Sequence, residues 1–404
     1  MLKKYRDFRY LFSGRLISNC GDSIYMLVLS WYILDVTKST MLVGVLNSII
    51  FLPTVFAFLF GKAIDRWNKK KTLILLEFVQ LLAVLVIIGG MAIHHQAPTL
   101  SLVIIFIAVF VAATASLNTY TVQDAYVPSI MQKEDLPKAE MYMSFAYNGT
   151  DYVFTSIAGF LLAVMSYMSL LVVDIITFIL SILTFSRLDS DSATKHVAEP
   201  TASDEKSDIL SGFRALMDNR LLRTFAFGAA FGNLMFGGLN VYTLTMGKAF
   251  GGSAYFGLLT AGSSIGIMVG GTFVVNHVLK RYNVGRILWV ADIIFGMILL
   301  PISIFSNKYM LLVVWFIAFI FLGVSQVVQK PILQAEIPHE KMGEVLSAFS
   351  TITISTLSVG SLLFGYLAKF MDWKIFMVIF GVSYIGIGLL YFSNKKFNNY
   401  SVNQ

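Results

Sequence analysis

Charge is scarce in this chain. Asp, Glu, Lys and Arg supply 13% of its 404 residues, against about 25% in soluble domains, while 57% are hydrophobic and mean hydropathy is +0.74. That balance excludes an ordinary soluble domain and implies a polytopic membrane protein. Cysteine is nearly absent as well: Cys20 alone excludes an internal disulfide and a cysteine metal cluster. There is no Gly-x-x-x-x-Gly-Lys-[Ser/Thr] loop to support direct drive by ATP, and no His-Glu-x-x-His pair for a zinc enzyme. No metal and no cofactor are expected. The basic excess of +7 sits in short loops beside apolar runs, which the preference of Lys and Arg for the cytoplasmic side explains without nucleic acid. The first apolar run follows a basic start and lacks a small-residue cleavage pattern, so it is expected to stay in the membrane.

What the sequence has instead is a series of apolar runs near 20 residues, each long enough to cross a bilayer as a helix. They are Tyr10–Leu34, Met41–Phe60, Thr72–Ala92, Leu100–Thr121, Met141–Val164, Ser169–Ser186, Leu221–Thr245, Tyr255–Val275, Ile287–Phe305, Tyr309–Val328, Val345–Phe370 and Ile375–Phe392. Twelve spans put both termini on one side. Lys3, Lys4, Arg6, Arg9, the Lys62 to Lys71 cluster, Lys133, Lys138, the Arg187 to Arg223 set, Lys280, Arg281, Arg286, Lys330, Lys341, Lys395 and Lys396 then share one face, and only Lys38, Lys248, Lys308, Lys369 and Lys374 the other. The crowded face is expected to be cytoplasmic. A multi-pass protein of the cell membrane follows, all α-helical, with both termini inside and a monomer as the expected state.

Between Leu188 and Asp208 the chain turns polar and loses periodicity, as a flexible linker does. It divides the spans six and six: an N-terminal half over 1–188, a linker over 189–219 and a C-terminal half over 220–404. Ile209, Leu210, Phe213, Leu216 and Met217 recur at helical spacing, which predicts an interfacial amphipathic helix over Asp208 to Asn219. The halves look like repeats. Arg9 and Asn19 match Arg223 and Asn233 at one offset, and Asp124-Ala-Tyr-Val-Pro128 parallels Gln334-Ala-Glu-Ile-Pro338, each expected in the loop after the fourth span of its half. Two such halves predict a substrate path between them near the midplane.

The basic turn Gly61-Lys-Ala-Ile-Asp-Arg-Trp-Asn-Lys-Lys-Lys71 resembles the loop between helices two and three of the major facilitator superfamily, roughly Gly-x-x-x-Asp-Arg-x-Gly-Arg-[Arg/Lys], with Asn68 replacing the second glycine. The resemblance implies the twelve-helix fold of that family and makes Gly61, Asp65 and Arg66 a cytoplasmic latch, not a substrate site. Phe8-Arg-Tyr-Leu-Phe-Ser-Gly-Arg-Leu-Ile-Ser-Asn-Cys-Gly-Asp22, Val127-Pro-Ser-Ile130 with Glu134-Asp-Leu-Pro-Lys-Ala-Glu140, and Ile337-Pro-His-Glu-Lys-Met-Gly343 resemble the macrolide-efflux and siderophore-exporter branch. Two features depart from many drug–proton antiporters: Leu100 to Thr121 carries no charge, and the fifth span lacks their Gly-Pro-rich motif.

An ionisable group at mid-bilayer costs about 2.5–3.5 kcal/mol on insertion scales, so each one calls for a reason. Asp22 and Arg15 fall in the first span, Asp151 in the fifth, Asp174 in the sixth and Asp292 in the ninth. Asp22 with Asp151 is expected to couple protons and to face cationic cargo, with Arg15 tuning it. The spacing of seven also puts Asp22 and Arg15 on one helix face, where a structural ion pair is the alternative. Asp174 and Asp292 are further candidates that can equally serve packing. Asn19, Tyr25, Tyr32, Phe154, Asn233 and Tyr242 are candidate cavity residues, against the usual packing role of aromatics in membranes. Gly262-Ser-Ser-Ile-Gly266 fits a hydrolase elbow, but Gly262, Gly266 and Gly270 are spaced by four inside an apolar run, as in close helix packing.

The expected function is a secondary exporter working by alternating access, expelling amphipathic drug-like or macrolide-like molecules in exchange for protons. A siderophore exporter or a lysolipid flippase is the alternative within the resemblance. An intramembrane enzyme is the alternative of another class.

Overall fold

The computed structural model describes residues 2–56, 68–189, 209–305, 307–337, 341–394 and 397. Gly61, Asp65 and Arg66 and the linker residues 190–208 lie outside them. The described residues form helices and no strand: α1 Arg6–Thr37, α2 Thr40–Val55, α3 Lys69–Ala92, α4 Pro98–Ile130, α5 Leu136–Ser144, α6 Thr150–Val164, α7 Tyr167–Ser186, α8 Ile209–Asp218, α9 Arg220–Phe250, α10 Ser253–Val269, α11 Val275–Val278, α12 Val284–Leu299, α13 Lys308–Glu336, α14 Met342–Leu367 and α15 Trp373–Ser393. Hydrocarbon offers no partner to a backbone amide, so an apolar run must satisfy its own N–H and C=O groups, and a helix does so within the segment.

Each of the apolar runs is mostly helical over its described residues. Among them, eight helical stretches are long and apolar enough to cross a membrane: Lys69–Ala92, Pro98–Ile130, Tyr167–Ser186, Ser253–Val278, Val284–Ile304, Lys308–Leu333, Glu344–Leu367 and Trp373–Ser393. Thr40–Thr54 and Val153–Val164 are shorter apolar helices. α1, 32 residues long, has the length but is more polar, because Arg15, Ser18, Asn19, Asp22 and Ser23 interrupt it.

The helix starts are written in the sequence. Asn68, Ser166, Asn219 and Asn307 each accept a hydrogen bond from a backbone N–H of the first turn, of α3, α7, α9 and α13 respectively. α9 stops at Gly251 and Gly252, whose φ values of 150° and 74° suit glycine and whose N–H groups both return to the Gly247 carbonyl. The amphipathic helix expected over 208–219 is α8, with Leu216 fully buried and Arg214 exposed.

Two expectations are corrected. Asp124 to Pro128 is not a loop, because α4 runs on to Ile130, and α13 likewise continues to Glu336, past the end set by the apolar run. A helix carries its own hydrogen bonds, so it need not stop where the hydrocarbon does; α4 runs on even though Pro128 forgoes the one backbone bond that an N–H there would make to the Asp124 carbonyl. The fifth span, for its part, is not one regular helix: residues 145–149 form a π-helical turn between α5 and α6, and 270–274 form another between α10 and α11. Turns of this kind recur at functional positions.

The chain divides into two compact units, residues 1–38 with 46–204, and residues 39–45 with 205–404. In the first, α1 packs along α7 and α6, and α3 along α4 and α7. Gly14 lets the Phe185 ring lie against α1, and the Ser181 hydroxyl donates to the Gly14 carbonyl at 3.2 Å. Lys4 Nζ meets Asp135 Oδ2 at 2.8 Å; the hydrogen bond pushes the Lys4 ammonium up to about 12 and holds the Asp135 carboxyl below its ordinary value. Both groups face solvent, so the pair contributes little. In the second unit, α9 packs along α14, α12 along α15, and α10 along α13, around a core that includes Phe295, Trp315, Phe376 and Phe380.

Of the three glycines spaced by four, Gly266 in α10 and Gly270 in the π-helical turn pack closely and Gly262 does not. A Cβ on Gly266 would meet the Phe316 carbonyl at 2.7 Å, and one on Gly270 would collide with the Ile320 carbonyl, whereas at Gly262 the nearest atom, on Trp315, is 3.7 Å away. Gly266→Val is therefore expected to lower stability by about 1–3 kcal/mol through overpacking, and Gly262→Ala to leave it nearly unchanged; apparent melting temperatures in detergent compare the two.

Candidate functional site

Along α1, Arg15, Ser18, Asn19, Asp22 and Ser23 stand at i, i+3, i+4, i+7 and i+8, which makes one stripe on a helix. Each of the helices around it presents polar groups to the same region: Glu77 and Gln80 from α3, Ser116, Thr119, Tyr120 and Gln123 from α4, Thr150 and Asp151 from α6, and Asp174 from α7. On α3 this inverts the pattern of a soluble helix. Glu77 and Gln80 are buried at 0% and 1% exposure, while Leu75, Phe78, Leu82 and Leu85 face outward.

Arg15 is the centre of the arrangement. Its guanidinium carbon lies 3.3 Å from the Tyr120 ring centroid and 3.2 Å from that of Tyr147. The π-helical turn before α6 supplies Tyr147. Arg15 Nη1 donates to Gln123 Oε1 at 2.7 Å, whereas Nε, Nη2 and Gln123 Nε2 are buried donors with no acceptor. No carboxylate forms an ion pair with Arg15 among the described residues. The aromatic faces take the place of a counter-ion through cation–π attraction. The alternative of an Arg15–Asp22 pair is thereby replaced by a relay. Tyr120, whose ring covers Arg15, donates its hydroxyl to Asn19 Oδ1 at 3.1 Å and Asp22 Oδ2 at 3.4 Å.

Asp22 also accepts from Ser116 Oγ at 3.3 Å and is only half-buried. Asn19 Nδ2 donates to Thr150 Oγ1 at 2.7 Å and to the Tyr147 carbonyl at 3.0 Å. Ser23 Oγ donates to Asp151 Oδ1 at 2.6 Å. Side chains of α1, α4 and α6 thus join Arg15, Tyr120, Asn19, Asp22 and Thr150, and Asp151 is held on the same face of α1 by Ser23. Chemically the arrangement offers two carboxylates held by hydroxyl donors that tolerate either protonation state, and a fixed cation beside them.

Two more acids lie deeper. Glu77 accepts from Ser18 Oγ at 3.0 and 3.2 Å. Asp174 is fully buried with no hydrogen-bond partner on either oxygen, where Gly21 lets α1 approach α7. The remaining candidates do not join this network. Asp292, 2% exposed, belongs to the second unit, as do Asn233, which donates to the Ala229 carbonyl, and Tyr242, which stacks on Phe376 at 4.2 Å and donates to the Met371 carbonyl. Tyr25 is buried with its hydroxyl unpaired, Phe154 is half-buried, and Tyr32 makes edge contacts with Tyr167 and His94. Sequence reasoning did not single out Glu77, Tyr120, Gln123 or Tyr147. Glu77 had the clearest signal, a lone acid six residues inside an apolar run.

The profile of the Major Facilitator Superfamily matches residues 11–353 and 243–403. The chain belongs to that superfamily, and it is a membrane transporter of small molecules, not an enzyme. It is 23% identical to the staphyloferrin A transporter of Staphylococcus aureus (strain NCTC 8325 / PS 47) over 400 residues, 96% of each chain. Among solved structures it resembles a bacterial homologue of the human lysosomal transporter Spinster, inward-facing and unoccupied (TM-score 0.73, 13% identity, 97% of each chain). It also resembles the nucleoside transporter NupG (TM-score 0.70, 15% identity, 96% of this chain and 98% of that one). At these identities the solved structures speak to the fold.

Tyr120→Phe removes the hydroxyl but keeps the ring on Arg15, and is expected to cost about 1 kcal/mol. Tyr120→Ala uncovers the guanidinium and is expected to cost about 3 kcal/mol or more. Equal losses of melting temperature in the two variants would contradict the clamp.

Proposed function

We propose that this transporter is a proton-coupled exporter of amphipathic small molecules, spanning the cell membrane twelve times in two six-helix halves with both termini in the cytoplasm. The observation that carries this reading is a pair of hydroxyl-held carboxylates in the first unit: Asp22, held by Tyr120 and Ser116, and Asp151, held by Ser23. Intramembrane carboxylates in such a setting are candidates for taking up and releasing protons. Asp22, half-buried, is the group through which the proton enters the set. Asp151 shares the load with it, and Arg15 sets the electrostatic field at Asp22 through Tyr120. Alternating access then ties each proton taken in to one cargo molecule released.

A second reading, export of a siderophore or another acidic cargo, is favoured by one feature. Arg15 Nε, Arg15 Nη2 and Gln123 Nε2 are donors without acceptors, which is the chemistry that receives a carboxylate. The likeness to a staphyloferrin A transporter points the same way.

Proteoliposomes with an imposed pH gradient test both readings. Asp22→Asn is expected to reduce gradient-driven export to the passive leak, and Asp151→Asn to reduce it in part; export that persists unchanged in Asp22→Asn rules out the coupling role. Arg15→Gln is expected to abolish transport of acidic cargo while sparing neutral dyes if the second reading holds.

A further inference from the structure

The second unit carries a groove of about 330 Å³ between α10–α11, α12 and α13. Val274, Val278, Val290, Ile294 and Phe321 make up most of its wall, and Tyr282 and Arg286 stand at one end. The π-helical turn 270–274 leads directly into this wall. Arg286 lines the groove, and His277, Lys280 and Arg281, all exposed, lie in the same stretch of chain, which holds no acid between Gly251 and Ala291. The Arg286 guanidinium lies 5.5 Å from the Tyr282 ring, which holds it over the groove mouth.

We propose that this groove binds an anionic phospholipid, with an acyl chain along the apolar wall and the phosphate on Arg286. A concave apolar surface on a membrane-spanning helix is bathed in lipid tails, so a hydrocarbon chain is its natural occupant. A chain in this groove brings its headgroup toward Arg286, in a stretch of chain that is otherwise basic, and arginine suits a phosphate through its forked donors. Basic pockets between membrane helices select anionic headgroups in this way. A second groove in the first unit shows what is special here. It holds about 430 Å³ but is lined only by apolar side chains such as Val79, Leu82, Ile104 and Ile107. That groove can take any acyl chain and has nothing to choose a headgroup with. Asp292 lies on the same helix as Arg286 but is buried in the core, so the lipid site is separate from the intramembrane acids.

The test is lipid retention and stabilisation, which need no cargo and no proton gradient. Purified full-length protein is titrated with phosphatidylglycerol, phosphatidylcholine or inorganic phosphate, and bound lipid is read by native mass spectrometry and by melting temperature. Wild type is expected to retain phosphatidylglycerol several-fold over phosphatidylcholine and to melt higher with it, while phosphate alone does nothing. Arg286→Ala and the groove-filling Val290→Trp are expected to erase that preference, and Ile107→Trp in the plain groove to leave it. Equal retention of the two lipids by wild type, the same shift from inorganic phosphate, or a preference that survives both groove variants overturns the proposal. Because the comparison of lipids on wild type decides by itself, a variant that fails to fold does not remove the test.

Discussion

An arginine held out of water with no carboxylate within ion-pairing distance among the described residues needs its charge answered in some other way, and here two tyrosine rings answer it. Arg15 lies 3.3 and 3.2 Å from the centroids of Tyr120 and Tyr147. Tyr120 belongs to a long continuous helix, but Tyr147 comes from a π-helical turn that re-aims the chain just ahead of Thr150 and Asp151. The clamp therefore fixes three things together: the position of α4 on α1, the irregular start of α6, and the placing of Asp151 beside Ser23.

The same clamp gives the first unit its electrical character. Tyr120 reaches Arg15 with its ring and Asp22 with its hydroxyl, so a change at the carboxylate is felt at the cation through one side chain. Glu77 and Asp174 add buried acids behind this set, on the far side of the α1 stripe. Two readings of the cargo draw on the two signs of the cluster. Hydroxyl-held carboxylates suit proton exchange, and unpaired guanidinium and amide donors suit an acidic cargo. The two readings predict opposite proton linkage, because a carboxylate arriving at Arg15 disfavours charge on Asp22 and so favours proton uptake, whereas a cationic cargo favours proton release.

The helices were legible in the sequence because hydrocarbon leaves the backbone almost no other choice, whereas the capping asparagines at 68, 219 and 307 were not read as helix starts. The helix ends were less so. Asp124 to Pro128 read as a loop because the apolar run stops there, yet the helix goes on. Arg15 and Asp22 were visible because charges in an apolar run stand out, and Asn19 and Asp22 share the Tyr120 hydroxyl while Asp151 is held separately by Ser23. What could not be read was partnership. Tyr120, Tyr147 and Gln123 are ordinary residues until the packing of α4 and the π-helical turn sets them around Arg15. Tyr242 shows the converse: an aromatic in a span reads equally as cavity or core, and its stack on Phe376 places it in the core of the second unit.

The central claim is that a proton leaves the Asp22 network when cargo binds. Purified protein in weakly buffered detergent with a pH indicator measures this directly, since binding linked to deprotonation must release protons in proportion. The account predicts release of about one proton per cargo molecule bound by the wild type at neutral pH, and none from Asp22→Asn that still binds. Cargo binding without proton release in the wild type, or equal release from Asp22→Asn, would contradict it.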